Sequence, residues 1–175
     1  EDGGGGVIPY EYKNINFINA LQWTIGLELF LLINDPWRVF LTTDHPNGGP
    51  FTSYPELIRL LMDLDFRNSI IDQINVDAKK ISRLKSINRT YSIYEIAIMT
   101  RAAPAKILGL NDRGSLRPGS IADIAIYKPN KNVEKMFRNA EYVLKNGIEI
   151  VRKGKVIRHY NTSTKCLNIN YDHSI

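Results

Sequence analysis

The chain has 175 residues, 43% of them hydrophobic, enough to bury one ordinary core, and its formal net charge of +5 comes from Lys and Arg scattered among nearly as many acids. Without a basic stripe or an aromatic-basic ladder, that charge does not point to nucleic acid as a partner. A single cysteine, Cys166, excludes an internal disulfide and suits a reducing compartment; it reads as an inert thiol rather than a nucleophile.

The chain opens on Glu1-Asp2 and four glycines, Gly3 to Gly6, with neither an initiator Met nor a secretory signal, so the numbering is expected to start inside a longer protein. The glycines fit either a flexible linker or a backbone that approaches a ligand closely, and the apolar Val7-Ile8-Pro9-Tyr10 leads into a packed element. From Asn16, the residues Phe17, Ala20, Leu21, Ile25, Leu27, Leu29 and Leu32 make a helix that is apolar nearly all round, expected to be well buried and packed on several sides. Asn19, Gln22, Thr24 and Glu28 interrupt it, so it falls short of a membrane span, and Asp35-Pro36 ends it. Trp37-Arg38-Val39-Phe40-Leu41 then suits a short buried strand.

Ser53-Tyr54-Pro55-Glu56 reads as a helix start, with a Ser cap, a Glu three residues on and Pro in the first turn. The helix continues through Leu57, Ile58, Leu60, Leu61, Met62 and Leu64 until Asp65-Phe66-Arg67 breaks it, and residues 70–91 allow one or two more helices. Ser92-Ile93-Tyr94-Glu95 is a second capping box, leading into a helix that Pro104 kinks or interrupts and Leu108-Gly109-Leu110 stops. From Gly114 the texture changes to strands. Arg117-Pro118-Gly119-Ser120 is a turn, Ile121-Ala122-Asp123-Ile124-Ala125-Ile126-Tyr127 alternates like a strand with one buried face, and Asn146-Gly147 joins a hairpin. A second turn at Arg152-Lys153-Gly154-Lys155 leads into Val156-Ile157-Arg158-His159. The chain thus divides near residue 110 into an α/β part and a β part.

Between the expected strand and the next helix lies Thr42-Thr43-Asp44-His45-Pro46-Asn47-Gly48-Gly49-Pro50, a polar loop at a strand's carboxyl end, where α/β proteins collect ligands. A carboxylate there can ligate a metal or act as general base, and it can equally cap a turn or pair with an Arg; position alone leaves both roles open for Asp44. His45 is adjacent, yet neighbours on a strand end point to opposite sides. The histidines are His45, His159 and His173, with no His-x-His, no His-x-x-x-His and no Cys pair, so this chain does not offer a zinc site of its own. It also lacks the Lys-Ser/Thr of a phosphate loop and any Gly-x-Ser-x-Gly elbow.

Two runs carry a resemblance: Thr100-Arg101-Ala102-Ala103-Pro104-Ala105-Lys106-Ile107-Leu108-Gly109-Leu110, and Gly114-Ser115-Leu116-Arg117-Pro118-Gly119-Ser120-Ile121-Ala122-Asp123-Ile124-Ala125-Ile126-Tyr127. Together they resemble the C-terminal third of the amidohydrolase superfamily. More narrowly, Ala20-Leu21-Gln22-Trp23, Gly26-Leu27-Glu28-Leu29, Asp35-Pro36-Trp37 and the loop from Thr42 to Phe51 resemble its branch of formylmethanofuran dehydrogenase A subunits of methanogenic archaea. The resemblance spans residues 3 to about 160.

It implies an α/β fold: residues 1–110 as the C-terminal part of a metal-dependent (β/α)8 amidohydrolase barrel, 111–160 as strands of a small β-sandwich, and 161–175 as a tail. It implies that Asp44 is both catalytic and metal-ligating, the carboxylate after the eighth barrel strand in a two-zinc centre, with His45, Asn47, Gly48 and Gly49 binding substrate. Asp44 would take the proton of the attacking water and return it to the leaving amine; in reverse, formate and methanofuran condense. The family's His-x-His, carboxylated Lys and two further His have no counterpart here, so the chain alone is expected to be inactive. Implied partners are methanofuran, formate and other subunits, including a molybdenum or tungsten formate-dehydrogenase-like one, in the cytoplasm, without membrane or nucleic acid. The competing readings are another amide or cyclic-amide hydrolase of the superfamily, or a non-catalytic assembly segment. Expressed alone, the segment is expected to expose strand edges and aggregate.

Overall fold

In the computed structural model, which describes residues 13–45 and 48–161, the chain runs from a helical half into an antiparallel sheet. Asn16 opens α1 (Phe17–Leu32) by accepting the Asn19 amide on its side chain, the usual way an N-cap satisfies an orphan donor. One face of α1 places Ala20, Thr24, Leu27 and Leu31 in the core. The opposite face corrects the expectation of a helix covered on several sides. Ile18, Ile25, Leu29 and Leu32 are spaced to form one stripe and stand 49–61% exposed, because the described helices pack on one side of α1 only.

The strand expected over residues 37–41 does not form among the described residues. Asp35 accepts the Trp37 amide and Pro36 enters the first turn, which together wind Pro36–Arg38 into a 3-10 turn. Val39 follows in an extended conformation and is buried, without a sheet partner among the described residues. The helix start at Ser53 is also different in detail. A 3-10 turn, Phe51–Ser53, precedes α2 (Tyr54–Met62), leaving Ser53 already helical and its hydroxyl without the capping bond.

The break expected at residues 65–67 falls earlier, at Asp63. Its amide closes α2 on the Arg59 carbonyl while its carboxylate accepts the Phe66 amide at 2.9 Å and opens α3 (Leu64–Ile71). One residue therefore ends one helix and starts the next. Arg67 on α3 is fully buried and donates to the carbonyls of Leu60, Ile87 and Arg89 at 3.1, 2.8 and 2.9 Å. Burial lowers its pKa from the usual guanidinium range. The region 70–91 supplies α4 (Val76–Ile81) and a 3-10 turn at Leu84–Ser86.

Arg89 then clamps the end of α1, donating to Phe30, Leu31 and Ile33 carbonyls at 3.1–3.3 Å and to Glu95 at 2.8 Å. A cation at a helix C-terminus is favoured by the exposed carbonyl dipoles. The Tyr91 hydroxyl adds a further bond to Phe30. The capping box forms as expected, Ser92 and Glu95 each capping the other's amide, and opens α5 (Ile93–Ala97). Pro104 interrupts without ending the helix: a π turn, Ile98–Ala102, widens the path before α6 (Ala103–Ile107). The Thr100 carbonyl, which Pro104 has no N–H to satisfy, instead accepts from Arg101 Nη1 at 2.8 Å. Gly109, at φ +66°, ends α6 with Leu110 N–H bonding Ala105 and Gly109 N–H bonding Lys106, a Schellman closure that a left-handed residue permits.

Beyond the Arg117-Pro118-Gly119-Ser120 turn, the sheet follows in the order β1 (Ile124–Ile126), β2 (Tyr142–Lys145), β3 (Ile148–Arg152) and β4 (Lys155–Val156), antiparallel throughout. The strand expected over 121–127 is shorter because Asp123 turns its carboxylate to Lys145, Arg113 and the Asn146 amide. The run expected to reach His159 stops after two residues. Both tight turns match their sequences, with Asn146-Gly147 at φ +53° and +78° and Lys153-Gly154 at +51° and +74°, the conformation that suits two-residue hairpins. Between β1 and β2 lies α7 (Val133–Arg138), which no pattern in the sequence announced. Asn132 caps it, and it lies on α2, where Glu134 meets Arg59 at 3.4 Å.

Candidate active site around Asp44

The extended run after the 3-10 turn ends on Thr43, which is 6% exposed, and on Asp44, which lies at the surface. Asp44 is in the left-handed region at φ +50°. Both of its backbone polar groups are used: its N–H donates to Thr42 Oγ1 at 3.1 Å, and its carbonyl accepts the Gly48 N–H at 2.9 Å. Its side-chain carboxylate meets no donor among the described residues. The Thr43 hydroxyl is buried and has no partner among them either.

A pocket of about 620 Å³ opens beside the loop. Asp44, Gly48 and Gly49 line one side, Asn19 and Trp23 of α1 the other, and Ser53 and Glu56 the start of α2. His45 is not brought to it. Its ring stacks on Phe51 with centroids 4.2 Å apart, and Phe51 in turn lies 6.4 Å from Tyr54. Phe51 and Tyr54 border a second cavity, of about 880 Å³, with Tyr127, Phe137 and Arg101. Asn47 and Cys166 lie outside the described residues.

Among the sequence-chosen residues, then, the structure gathers Asp44, Gly48 and Gly49 and separates His45. It adds Thr43 and Trp23, which lie in the runs that carry the resemblance but were given no role in the site, and Asn19, which no motif includes. The paired threonines ahead of Asp44 were the one available signal, since a small hydroxyl can bond a loop's own backbone. Among the described residues no group of three or more His, Cys, Asp and Glu could hold a metal. The donor set fits a metal only in part: the Asp44 carboxylate, without a donor among the described residues, can give one oxygen ligand.

Residues 2–152 match the profile described as the amidohydrolase family. The chain belongs to the amidohydrolase family. Two relatives of this amidohydrolase chain carry more specific names. It is 48% identical over 169 residues to the A component of the formyltransferase/hydrolase complex Fhc of Methylorubrum extorquens, covering 97% of this chain and 31% of that protein. It is 45% identical over 163 residues to protein FwdA of Methanocaldococcus jannaschii, covering 89% of this chain and 29% of the relative. The amidohydrolase chain thus spans about a third of the length of the curated relatives it matches. The crystal structure of the FhcABCD complex from Methylorubrum extorquens with methylofuran contains a chain that superposes with TM-score 0.88 at 46% identity, over 95% of this chain and 31% of that one. Its bacterial source widens the expected setting beyond methanogenic archaea. No helix among the described residues is long and apolar enough to cross a membrane.

Proposed function

We propose that this chain is the part of a formylmethanofuran dehydrogenase-type A subunit that brings the catalytic carboxylate to a metal-dependent amidohydrolase centre. The reaction is interconversion of an N-formylated methanofuran-type amine with formate and the free amine. The observation that carries the reading is Asp44: a carboxylate free of partners among the described residues, its backbone held at both ends, facing a pocket in a chain 48% identical to a component of a hydrolase complex. The complex that contains that component binds methylofuran, which favours a methanofuran-type substrate.

In this reading the helices up to residue 110 are the last helices of a (β/α)8 barrel and the meander after it belongs to a β-sandwich. The unpaired extended run ending at Thr43 is then the eighth barrel strand, pairing with strands outside this chain. Zinc, when bound, supplies Lewis-acid activation of water and of the formyl carbonyl. Asp44 gives it one oxygen ligand, accepts the proton of the attacking water, and delivers that proton to the departing nitrogen. The other ligands come from outside this chain, so the chain by itself does not turn over. The resemblance gives substrate contacts to His45, Asn47, Gly48 and Gly49; of these, Gly48 and Gly49 line the pocket, while His45 stacks on Phe51. Other subunits, one of them related to molybdenum or tungsten formate dehydrogenases, supply or consume formate in the cytoplasm.

The test is Asp44→Asn in the complete protein that carries the chain. Loss of at least a thousandfold in formamide hydrolysis, with an unchanged melting curve, is expected; undiminished turnover would overturn the assignment. Parallel assays with N-formylmethanofuran, dihydroorotate and hydantoin then identify the substrate branch.

A further inference from the structure

The two glycines that follow the loop stand in different surroundings. An ideal Cβ on Gly49 would come no nearer than 3.7 Å to Ser53 Oγ, an ordinary contact. On Gly48 the same atom would lie 2.6 Å from the Thr43 carbonyl oxygen and 3.2 Å from Asp44 Cβ. The first obstacle is backbone, which cannot rotate away like a long side chain.

We infer that Gly48 is a positioning residue for Asp44, its missing side chain letting the loop close on the Thr43 carbonyl and so aim the carboxylate; this rests on the reading of Asp44 given above. The closure is what brings the Gly48 N–H within 2.9 Å of the Asp44 carbonyl. With the Asp44 N–H tied to Thr42 Oγ1, both ends of a left-handed residue are fixed and only its side chain is left for chemistry. A methyl at position 48 would drive the Thr43–Asp44 peptide back by about 0.8 Å to reach ordinary contact, and displacements near 1 Å at a reacting group cost about a hundredfold in rate.

The experiment compares Gly48→Ala, Asp44→Asn and the double variant in the complete protein, with melting curves, zinc retained after dialysis, kcat and KM for each. Gly48→Ala should lower kcat at least tenfold, keep KM within twofold, and reduce retained zinc as Asp44→Asn does. In the Asp44→Asn background it should add no further loss to the residual rate, as expected of a residue acting through the carboxylate. Wild-type kcat, a raised KM with unchanged kcat, or an equal loss in the Asp44→Asn background would each overturn the inference. If Gly48→Ala does not accumulate folded, Asp44→Glu replaces it, moving the carboxylate by one methylene with Gly48 intact. Reduced kcat at constant KM supports the inference, and full kcat overturns it. Full turnover in Asp44→Asn instead removes the assignment of Asp44, a separate failure.

Discussion

Asp44 sits in a backbone region that ordinary L-residues enter at a cost of about 1–2 kcal/mol, while Asn and Asp enter it readily. Asp44→Asn should therefore leave stability within about 0.5 kcal/mol, whereas Asp44→Val should lose roughly 1–2 kcal/mol; chemical denaturation of the complete protein measures both. Arg67 is the opposite kind of residue, a fully buried cation whose work is structural. Arg67→Met removes the donor to three carbonyls and should cost about 3 kcal/mol, read as a lower denaturant midpoint. The sequence marked Asp44 because a carboxylate in a polar loop is a local feature. It could not show that the Thr43 hydroxyl is buried or that the Asp44 carboxylate has no donor among the described residues, which depend on how Gly48 and Thr42 meet Asp44, nor that Arg67, read as a helix breaker, lies inside a helix.

Helix ends separate the two capping sequences that looked alike. Ser92-Ile93-Tyr94-Glu95 formed its box, so Ser92→Ala should cost about 1 kcal/mol. Ser53-Tyr54-Pro55-Glu56 did not, because Phe51–Ser53 was already wound into a 3-10 turn, and Ser53→Ala should stay within about 0.5 kcal/mol. A comparison of the two in thermal melts checks the distinction. Elements whose signals were complete within a few residues were legible: α1 with its start at Asn16, the Asn146-Gly147 hairpin and the Gly109 stop. The strand over 37–41 failed because a strand needs a partner, and Asp35-Pro36 offered the local chain another bond. The short helix α7 stayed hidden because what holds it is packing on α2, some seventy residues earlier in the chain.

At the scale of the molecule, acid is the sensitive variable. Burial pushes the Asp63 carboxyl up, but the Phe66 amide and Arg59 outweigh it and hold its pKa below the usual carboxylate range. The Ser92 amide, working against burial, and Arg89 do the same for Glu95; for Asp123, burial is outweighed by Lys145, the Asn146 amide and Arg113. A folded-state pKa below the unfolded one gives stability that is present above the unfolded value and lost as pH falls through the folded value. Melting temperatures should therefore vary little from about pH 7 to 5 and drop below about pH 4, with the loss reduced by combining Asp63→Asn and Asp123→Asn. Asp63 caps α3 and joins Arg59, while Asp123 anchors the hairpin, so these elements should lose amide protection first.

The Arg89 clamp on α1 has a consequence in time. The carbonyls it closes precede it by 56 to 59 positions. At about 5–20 residues per second, a ribosome would take roughly 3–12 s to deliver Arg89 after α1 has emerged. A chaperone that binds apolar helices has that interval in which to meet Ala20, Leu27 and Leu31, the face of α1 that the fold later buries. The hairpins at the other end need no such wait, because each turn joins strands two residues apart and closes in about 1–10 μs.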